Sequence, residues 1–158
     1  MKKPLHILLD GTDNVGKTTM CQLLSDKLRL PIIKMPNMPE YLKKGQAEEF
    51  SKLFNETIVQ FKDTDFILDR GFTSSLVYSA VFNRDFDLSY LAQIEKELNP
   101  VVFILTGHPF ATDEIYNTSQ QERIDERFRL LAEIKKYHIV EVNDKTPEQI
   151  VNRILELL

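Results

Sequence analysis

The amino-acid sequence predicts an α/β protein in which a five-stranded parallel sheet is flanked by helices. Short, nearly continuous apolar runs alternate with longer amphipathic stretches, which is the pattern of βα units whose strands are buried on both faces. Turn-forming or polar residues bound each apolar run. The length of 158 residues is that of one compact domain, and we therefore expect a single domain over residues 1–158.

The expected strands lie at residues 5–9, 31–35, 66–68, 101–105 and 139–142, and the expected helices at residues 17–28, 47–61, 72–82, 88–98, 122–136 and 147–158. Ile124, Phe128 and Leu131 follow the i, i+4, i+7 spacing that buries one face of a helix. Thr146 and Gln149 have the spacing of a capping box, so we expect the last helix to dock on the sheet.

Two segments lack helical or strand periodicity, residues 36–45 and 110–121. Each follows the carboxyl end of an expected strand, which is the edge where open α/β sheets form their ligand crevice. We interpret the first segment as a substrate loop and the second as a short lid.

The composition is that of an ordinary soluble protein, with 42% hydrophobic residues, 28% charged residues and a formal net charge of -4. This charge balance does not favour sustained nucleic-acid binding. No apolar run approaches the roughly 20 residues that a membrane span requires, and the first residues lack a signal-peptide core. The single cysteine, Cys21, excludes an intrachain disulfide and is expected to be buried. We expect a cytoplasmic protein without a membrane partner.

The strongest motif follows the first expected strand and opens the first expected helix. Its residues match G-x-x-x-x-G-K-S/T and read Gly11, Thr12, Asp13, Asn14, Val15, Gly16, Lys17 and Thr18, with Thr19 next in the helix. The glycines let backbone N–H groups and the helix N-terminus converge on phosphate oxygens. Lys17 then reaches the β- and γ-phosphates, and the Thr18 hydroxyl is placed to bind Mg²⁺. The motif predicts a site for ATP or a similar nucleoside triphosphate with Mg²⁺.

A second motif ends the third expected strand. Asp69 and Arg70 follow an apolar run and precede the segment Gly71-Phe72-Thr73-Ser74-Ser75. Together with the phosphate loop, this stretch resembles the D-R-Y/F/G-x-x-S segment of thymidylate kinases and related nucleoside monophosphate kinases. The resemblance implies a P-loop nucleotide kinase fold in which Arg70 grips the phosphate of the acceptor and Asp69 lies near magnesium and the phosphoryl path. An ion pair that caps a strand end is the structural alternative.

Weaker similarities to the same family extend along the chain. The resemblance implies that Asp13 binds the 3′-hydroxyl of the acceptor sugar. Lys34 and Pro36 stand where the family has the R-x-P that follows the second strand. Asn143 lies in a segment that resembles the one whose backbone contacts adenine.

The resemblance also suggests a site for the acceptor base. Phe54 stands where the family places a stacking aromatic residue, although Phe50, Phe54 and Phe61 could equally form an apolar stripe of a core helix. Ser75 stands near the position that reads the other edge of the base. The family has an arginine four residues after the stacking aromatic, whereas this chain has Ile58. We therefore expect relaxed or altered choice among pyrimidines.

No arginine lies inside the phosphate loop, and family members of that kind supply one from the lid. Arg123 is the first arginine after the lid begins, and Arg127 follows one helical turn later. Two like charges at this spacing repel each other on an exposed helix, so a bound anion is one explanation for them. The other explanation pairs Arg123 with Glu126 and Asp125 with Arg129.

The predicted activity is transfer of the γ-phosphoryl group of Mg·ATP to a pyrimidine deoxynucleoside monophosphate. One alternative keeps the kinase chemistry but changes the acceptor to a nucleoside, or to a hydroxymethylated pyrimidine in a nucleotide or in DNA. A second alternative is a nucleotide-binding regulator, although the guanine-reading N-K-x-D motif is not matched by Asn143-Asp144-Lys145. A homodimer is compatible with the sequence, which does not determine the oligomeric state.

Overall fold

The structure is a computed structural model that describes residues 2–12, 15–35, 46–107 and 116–158. It contains a five-stranded parallel sheet with the order β2-β3-β1-β4-β5. The strands are β1 (His6–Gly11), β2 (Ile32–Lys34), β3 (Phe66–Asp69), β4 (Val101–Thr106) and β5 (His138–Glu141). The predicted parallel sheet is confirmed, and each strand begins and ends within two residues of its expected position.

Within the described residues, six helices flank the sheet. They are α1 (Lys17–Leu28), α2 (Ala47–Val59), α3 (Phe72–Val81), α4 (Leu88–Leu98), α5 (Thr118–Lys135) and α6 (Pro147–Leu157). Alternate residues of β1 enter opposite faces of the sheet, because successive side chains of a strand point in opposite directions. Leu8 joins the cluster formed with α2 to α5, and Ile7 and Leu9 join the cluster formed with α1 and α6. The predicted α/β architecture with helices on both faces is therefore confirmed.

The central position of β1 determines where a ligand can bind. β1 pairs with β3 on one side and with β4 on the other, so the chain leaves the carboxyl end of β1 at the switch point of the sheet. The pairing places Leu9 opposite Asp69 and Gly11 opposite Leu105. The phosphate loop and the Asp69-Arg70 pair thus leave neighbouring strands at the same edge.

The expected start of the fifth helix was wrong by four residues. α5 begins at Thr118, so residues 118–121, which the sequence placed in the lid, are helical. The cause is a capping box at Asn117. The Asn117 side chain accepts a hydrogen bond from the Gln120 backbone N–H at 2.8 Å, and the Gln120 side chain accepts one from the Asn117 N–H at 2.9 Å. Residues 110–115 of the expected lid and the expected substrate loop at 36–45 lie outside the described residues.

Other expectations from the sequence agree with the packing. Ile124 and Phe128 are buried and Leu131 packs against the same core cluster. Cys21 is fully buried, and this burial raises the pKa of its thiol. None of the described helices combines the length and apolar character that crossing a membrane demands.

Candidate active site

The phosphate loop is shaped by two glycines with left-handed backbone angles. Gly11 has φ 142°, and a Cβ atom at this position would collide with the Leu105 carbonyl oxygen of β4. Gly16 has φ 85° and immediately precedes α1. Glycine is the residue that adopts such angles without a steric penalty. Asp13 and Asn14, which the sequence assigns to nucleotide and sugar binding, lie outside the described residues.

Lys17 turns back over the loop. Its side chain is buried, and Nζ donates a hydrogen bond to the Thr12 carbonyl oxygen at 2.5 Å. Val15 is buried beside it, whereas Thr18 and Thr19 are exposed at the start of α1. The ammonium group is therefore held at the rim of the loop, which is where a phosphate-binding lysine is required.

Thr18 and Asp69 bring two oxygen groups together from α1 and β3. The Thr18 hydroxyl donates to Asp69 Oδ2 at 3.0 Å, and Lys34 Nζ lies 3.4 Å from the same hydroxyl oxygen. Asp69 is buried, while Lys34 is exposed at the end of β2. Magnesium prefers such hard oxygen ligands and commonly takes one or two from a protein, with phosphates and water completing its shell. This pair fits the metal that the sequence predicts.

Asp10 is the centre of a buried network that the sequence did not single out. It is fully buried, and its carboxylate accepts hydrogen bonds from Ser74 Oγ at 2.8 Å to each oxygen, and from Thr73 Oγ1. The Gly11 backbone N–H donates at 2.9 Å, and Arg70 Nη1 donates at 3.3 Å. The signal that could have found Asp10 is its position, since it is an acid at the end of a buried strand, as Asp69 is.

Arg70 is held by both its side chain and its backbone. Nη1 lies 3.1 Å from Ser74 Oγ and 3.5 Å from the Tyr78 hydroxyl, and the guanidinium carbon lies 5.7 Å from the centre of the Tyr78 ring. The backbone has φ 72°, a left-handed angle that costs an ordinary residue roughly 1–2 kcal/mol. A strained backbone angle of this kind persists only where surrounding contacts hold the residue in place. Such residues are found more often at functional sites than elsewhere. Arg70 forms an ion pair with Asp10 of the neighbouring strand β1, at 3.3 Å.

The residues expected to contact the base lie where α2 meets α3. The Ser75 hydroxyl is 2.7 Å from the Ser51 hydroxyl, and Asn55 Nδ2 donates to Ser51 Oγ at 3.3 Å. Phe54 is half-buried and packs against the core cluster, and Ile58 is buried in it. Sequence reasoning missed Ser51 and Asn55, because a serine and an asparagine one turn apart on a helix have no distinctive pattern.

Comparison with known proteins gives matches along nearly the whole chain, although no family model matches the sequence. A protein of Methanopyrus kandleri that is named as a probable thymidylate kinase is 23% identical over 96% of this chain and 89% of that protein. The solved structure of thymidylate kinase from Candida albicans has a TM-score of 0.69 and 18% identity, covering 98% of this chain and 91% of that chain. The chain is thus similar to thymidylate kinases along nearly its whole length.

Further matches widen the range of kinases that this thymidylate kinase-like chain resembles. A protein of Pyrococcus furiosus named as an adenylate kinase is 26% identical over 96% of this chain and 83% of that protein. The YorR protein of Bacillus subtilis, solved in complex with phosphorylated GDP, has a TM-score of 0.73 at 22% identity and covers 96% of this chain and 94% of that one. At such identities the structural likeness establishes the P-loop kinase fold.

One match concerns a much longer protein. Lysine–tRNA ligase 1 of Mycoplasmopsis pulmonis is 26% identical over 89% of this chain, which corresponds to 29% of that protein. The thymidylate kinase-like chain therefore spans less than a third of that relative.

The expected lid arginines of the thymidylate kinase-like chain lie on the first turns of α5. Arg123 is exposed, and its Nη2 donates to the Val81 carbonyl oxygen at the end of α3 at 3.1 Å. Arg127 is also exposed. The alternative pairing of Asp125 with Arg129 is present at 2.8 Å. The structure thus gives Arg123 a contact with the backbone of α3, and its role toward the γ-phosphate stays a prediction.

The expected adenine segment closes against the end of β4. A Cβ atom added to Gly107 would lie 2.8 Å from Asn143 Oδ1 and 2.7 Å from a methyl carbon of Val142. Residue 143 is therefore at the carboxyl edge of the sheet, as the prediction for Asn143 requires. Pro36 lies outside the described residues.

Proposed function

We propose that this protein transfers the γ-phosphoryl group of ATP to the 5′-phosphate of a pyrimidine deoxynucleoside monophosphate. The observation that carries the proposal is the junction at Asp69 and Arg70. Asp69 accepts a hydrogen bond from Thr18 of the phosphate loop. The adjacent Arg70 donates one to Asp10, which also lies at the carboxyl edge of the sheet. A donor phosphate bound on the loop would lie next to Asp69, and an acceptor phosphate bound by Arg70 would lie beside it, because the two residues are consecutive.

On the donor side, Lys17 and the backbone of the phosphate loop bind the β- and γ-phosphates. Thr18 and Asp69 would hold the Mg²⁺ of Mg·ATP, which neutralises phosphate charge when it is bound. Thr12, Val15, Gly16 and Thr19 line the same donor stretch, and Asn143 would lie against adenine.

On the acceptor side, Arg70 offers a planar guanidinium that can bind two phosphate oxygens at once. Phosphoryl transfer needs little covalent help from a protein, because alignment of the two phosphates and neutralisation of their charge supply most of the rate enhancement. Asp13 and Lys34 are proposed to bind the acceptor, with Phe54 against its base. The lid arginines Arg123 and Arg127 would complete the positive charge when the lid closes.

Relaxed choice among pyrimidines follows from the buried position of Ile58. This side chain has no donor for a carbonyl group of thymine, so strict recognition through that contact is excluded at this position. The structurally similar thymidylate kinase of Candida albicans is described as having broad substrate specificity. The example of that enzyme supports our proposal that the acceptor pocket of this protein accepts more than one base.

The direct test is ADP release from Mg·ATP with a panel of deoxynucleoside monophosphates and the matching nucleosides. We expect turnover with at least two pyrimidine monophosphates and little with nucleosides, since a nucleoside has no phosphate for Arg70. Preference for dTMP over every other monophosphate by more than about a thousandfold would refute relaxed specificity. Faster turnover with nucleosides would make the protein a nucleoside kinase, and ADP release unaffected by any acceptor would favour the regulator.

A further inference from the structure

A short series of buried, hydrogen-bonded polar side chains joins α2 to α3. Asn55 and Ser51 are each 1% exposed, and Ser75 is 6% exposed. Their contacts run in sequence, from Asn55 Nδ2 to Ser51 Oγ at 3.3 Å and from Ser51 Oγ to Ser75 Oγ at 2.7 Å. Phe54 and Ile58, on the same face of α2, pack into the core.

Asn55 has more hydrogen-bonding capacity than this series uses. A carboxamide offers two N–H donors and a carbonyl oxygen with two lone pairs. Within the part of the protein that the structure describes, the Asn55 side chain makes one hydrogen bond, to Ser51. Buried polar groups in native proteins are almost always paired. A side chain buried to 99% with an acceptor and a donor in reserve therefore points to a bound polar ligand.

The two hydroxyl groups also leave one proton in reserve. The Ser51–Ser75 contact uses a single hydroxyl proton, whichever serine donates it. The other hydroxyl proton stays available for an acceptor outside the pair. When Ser51 is the donor, the spare hydroxyl proton is on Ser75 at one end of the series, and the Asn55 carbonyl oxygen is unused at the other end.

The hydrogen-bonded side chains of Asn55, Ser51 and Ser75 lie beside the proposed acceptor site. Ser75 follows Ser74, whose hydroxyl bonds Asp10, and Asp10 holds Arg70. Ser75 points to α2 and Ser74 to β1, so the first turns of α3 connect the acceptor-phosphate arginine to the buried series. A nucleotide with its phosphate on Arg70 and its base between α2 and α3 would present a base edge to these side chains.

We propose that Asn55, acting with Ser51 and Ser75, reads the edge of the acceptor base and accepts both cytosine and uracil or thymine by reversing the direction of one ring of hydrogen bonds. This inference rests on the proposed function and identifies the groups that would make its base choice relaxed. It names two residues, Ser51 and Asn55, that no resemblance suggested.

With cytosine, the ring runs in one direction. The N4 amino group of cytosine donates to Asn55 Oδ1, and Asn55 Nδ2 donates to Ser51 Oγ. The Ser51 hydroxyl donates to Ser75 Oγ, and the Ser75 hydroxyl donates to N3 of cytosine. Each of the three side chains gives one hydrogen bond and receives one.

With uracil or thymine, the same ring runs in the opposite direction. N3–H of the base donates to Ser75 Oγ, the Ser75 hydroxyl donates to Ser51, and the Ser51 hydroxyl donates to Asn55 Oδ1. The carboxamide has rotated by half a turn, which its broad terminal torsion allows, and Nδ2 donates to O4 of the base. In both arrangements Asn55, Ser51, Ser75 and the base edge all have hydrogen-bond partners. Neither base therefore leaves a buried polar group unpaired.

The decisive variant is Asn55→Asp, because a carboxylate accepts hydrogen bonds but cannot donate one to O4. The carboxylate can still accept from the N4 amino group of cytosine, although it no longer donates to Ser51. With cytosine the variant therefore loses one neutral hydrogen bond, whereas with uracil or thymine it sets a negative charge against O4. We expect wild-type protein to use dCMP and dTMP with kcat/KM values within about a hundredfold of each other. In the variant we expect the ratio of kcat/KM for dCMP to that for dTMP to rise about tenfold or more. Glu56→Gln, which changes the net charge by one unit in the opposite direction at the exposed neighbouring position, should leave this ratio unchanged.

Because a buried carboxylate can impair folding, Asn55→Leu provides a second, uncharged test. It removes the carboxamide at similar volume, so kcat/KM should fall about tenfold or more for both monophosphates while the KM for ATP is retained. An active wild type whose base ratio is unaltered in folded Asn55→Asp, or whose acceptor use is unaltered in Asn55→Leu, overturns the inference and leaves the proposed function intact. Wild-type use of one of the two bases by more than about a thousandfold overturns it as well. Lack of turnover with every monophosphate refutes the proposed function, and the inference with it.

Discussion

At the scale of single residues, Arg70 is constrained in both its side chain and its backbone. Among the described residues, Asp10, Ser74 and Tyr78 hold its guanidinium, and its backbone occupies a left-handed angle. Lysine would keep the charge but lose the planar group that binds two oxygens. We expect Arg70→Lys to raise the KM for the acceptor monophosphate by roughly 10–100-fold, the value of a lost charge-assisted hydrogen bond. Steady-state kinetics with each substrate varied in turn would measure this change.

The KM for ATP serves as the internal control for Arg70→Lys, since the donor phosphates lie on the loop. Equal losses for donor and acceptor would assign Arg70 to the donor. Unchanged KM values for both substrates would show that Arg70 serves only in the ion pair with Asp10.

Lys17 is expected to act in catalysis, and its contact with the Thr12 carbonyl shows that it is already placed at the loop. Lys17→Met keeps much of the buried volume and removes the charge. We predict at least a hundredfold loss of kcat, as for other groups that stabilise charge in a transition state, roughly 10²–10³-fold. Circular dichroism should show an intact fold. A folded variant that retains more than about a tenth of the activity would contradict the role of the loop in transfer.

Asp10 shows what sequence reasoning could and could not find at this scale. The phosphate-loop motif that directly follows Asp10 was recognised through Gly11, Gly16 and Lys17, because those residues have a fixed spacing. Asp10 accepts hydrogen bonds from Thr73 and Ser74, which lie more than sixty positions away in the sequence and meet it only when β1 and α3 pack together. The same reason hides the contact of Ser51 with Ser75.

At the scale of secondary-structure elements, Arg129 ties α5 to β5. It donates to Asp125 at 2.8 Å and to Glu141 at 2.7 Å. Partial burial alone would lower the pKa of its guanidinium, but the hydrogen bonds to Glu141 and Asp125 outweigh it and raise the pKa. Asp125 is 2% exposed. Arg129→Met would leave that carboxylate buried without its cation, and we expect a loss of about 2 kcal/mol in the free energy of unfolding. Urea denaturation at neutral pH measures this loss.

The matched variant Glu141→Gln removes the more exposed partner of Arg129. We expect it to cost only about 0.5 kcal/mol, as for other partly exposed pairs. A larger loss in Glu141→Gln than in Arg129→Met would contradict the assignment of the buried charge to Asp125.

The same variant has a defined pH dependence. Partial burial alone would raise the pKa of Glu141, but the hydrogen bond from Arg129 outweighs it and the pKa lies below its ordinary value of 4.5. A carboxyl group whose pKa is lower in the folded state than in the unfolded state stabilises the fold at every pH above its unfolded-state pKa. This stabilisation is lost as the pH falls through its folded-state pKa. The stability gap between wild type and Glu141→Gln should therefore be constant above about pH 5.5 and narrow below pH 4.5.

The ends of elements were predicted unevenly. The capping box at Thr146 was recognised because proline follows it and an apolar helix pattern begins at once, and the structure confirms it. The capping box at Asn117 was missed because the polar residues 118–121 show no apolar period. The hydrogen bonds of Asn117 and Gln120 decide the start of α5 in place of hydrophobic burial.

At the scale of the whole molecule, the sequence predicted the number and direction of the strands because each is a short apolar run between polar ends. Strand order could be expected only through the resemblance to P-loop kinases, since nothing in the run at β1 states that β3 and β4 are its neighbours. Residues 36–45 and 110–115 lack helical and strand periodicity, so the sequence pattern predicts no regular element there. Both segments lie outside the residues that the structure describes.

The position of β1 at the centre of the sheet has a consequence for how the chain emerges from the ribosome. β1 is made first, yet its two partners are β3, sixty residues later, and β4, whose last residue is Thr106. Until that residue leaves the exit tunnel, Ile7, Leu8 and Leu9 have open edges on at least one side. Such delayed, non-local pairing slows folding and leaves apolar strands exposed to aggregation. Of the five strands, β1 therefore waits through the longest stretch of synthesis for its last partner.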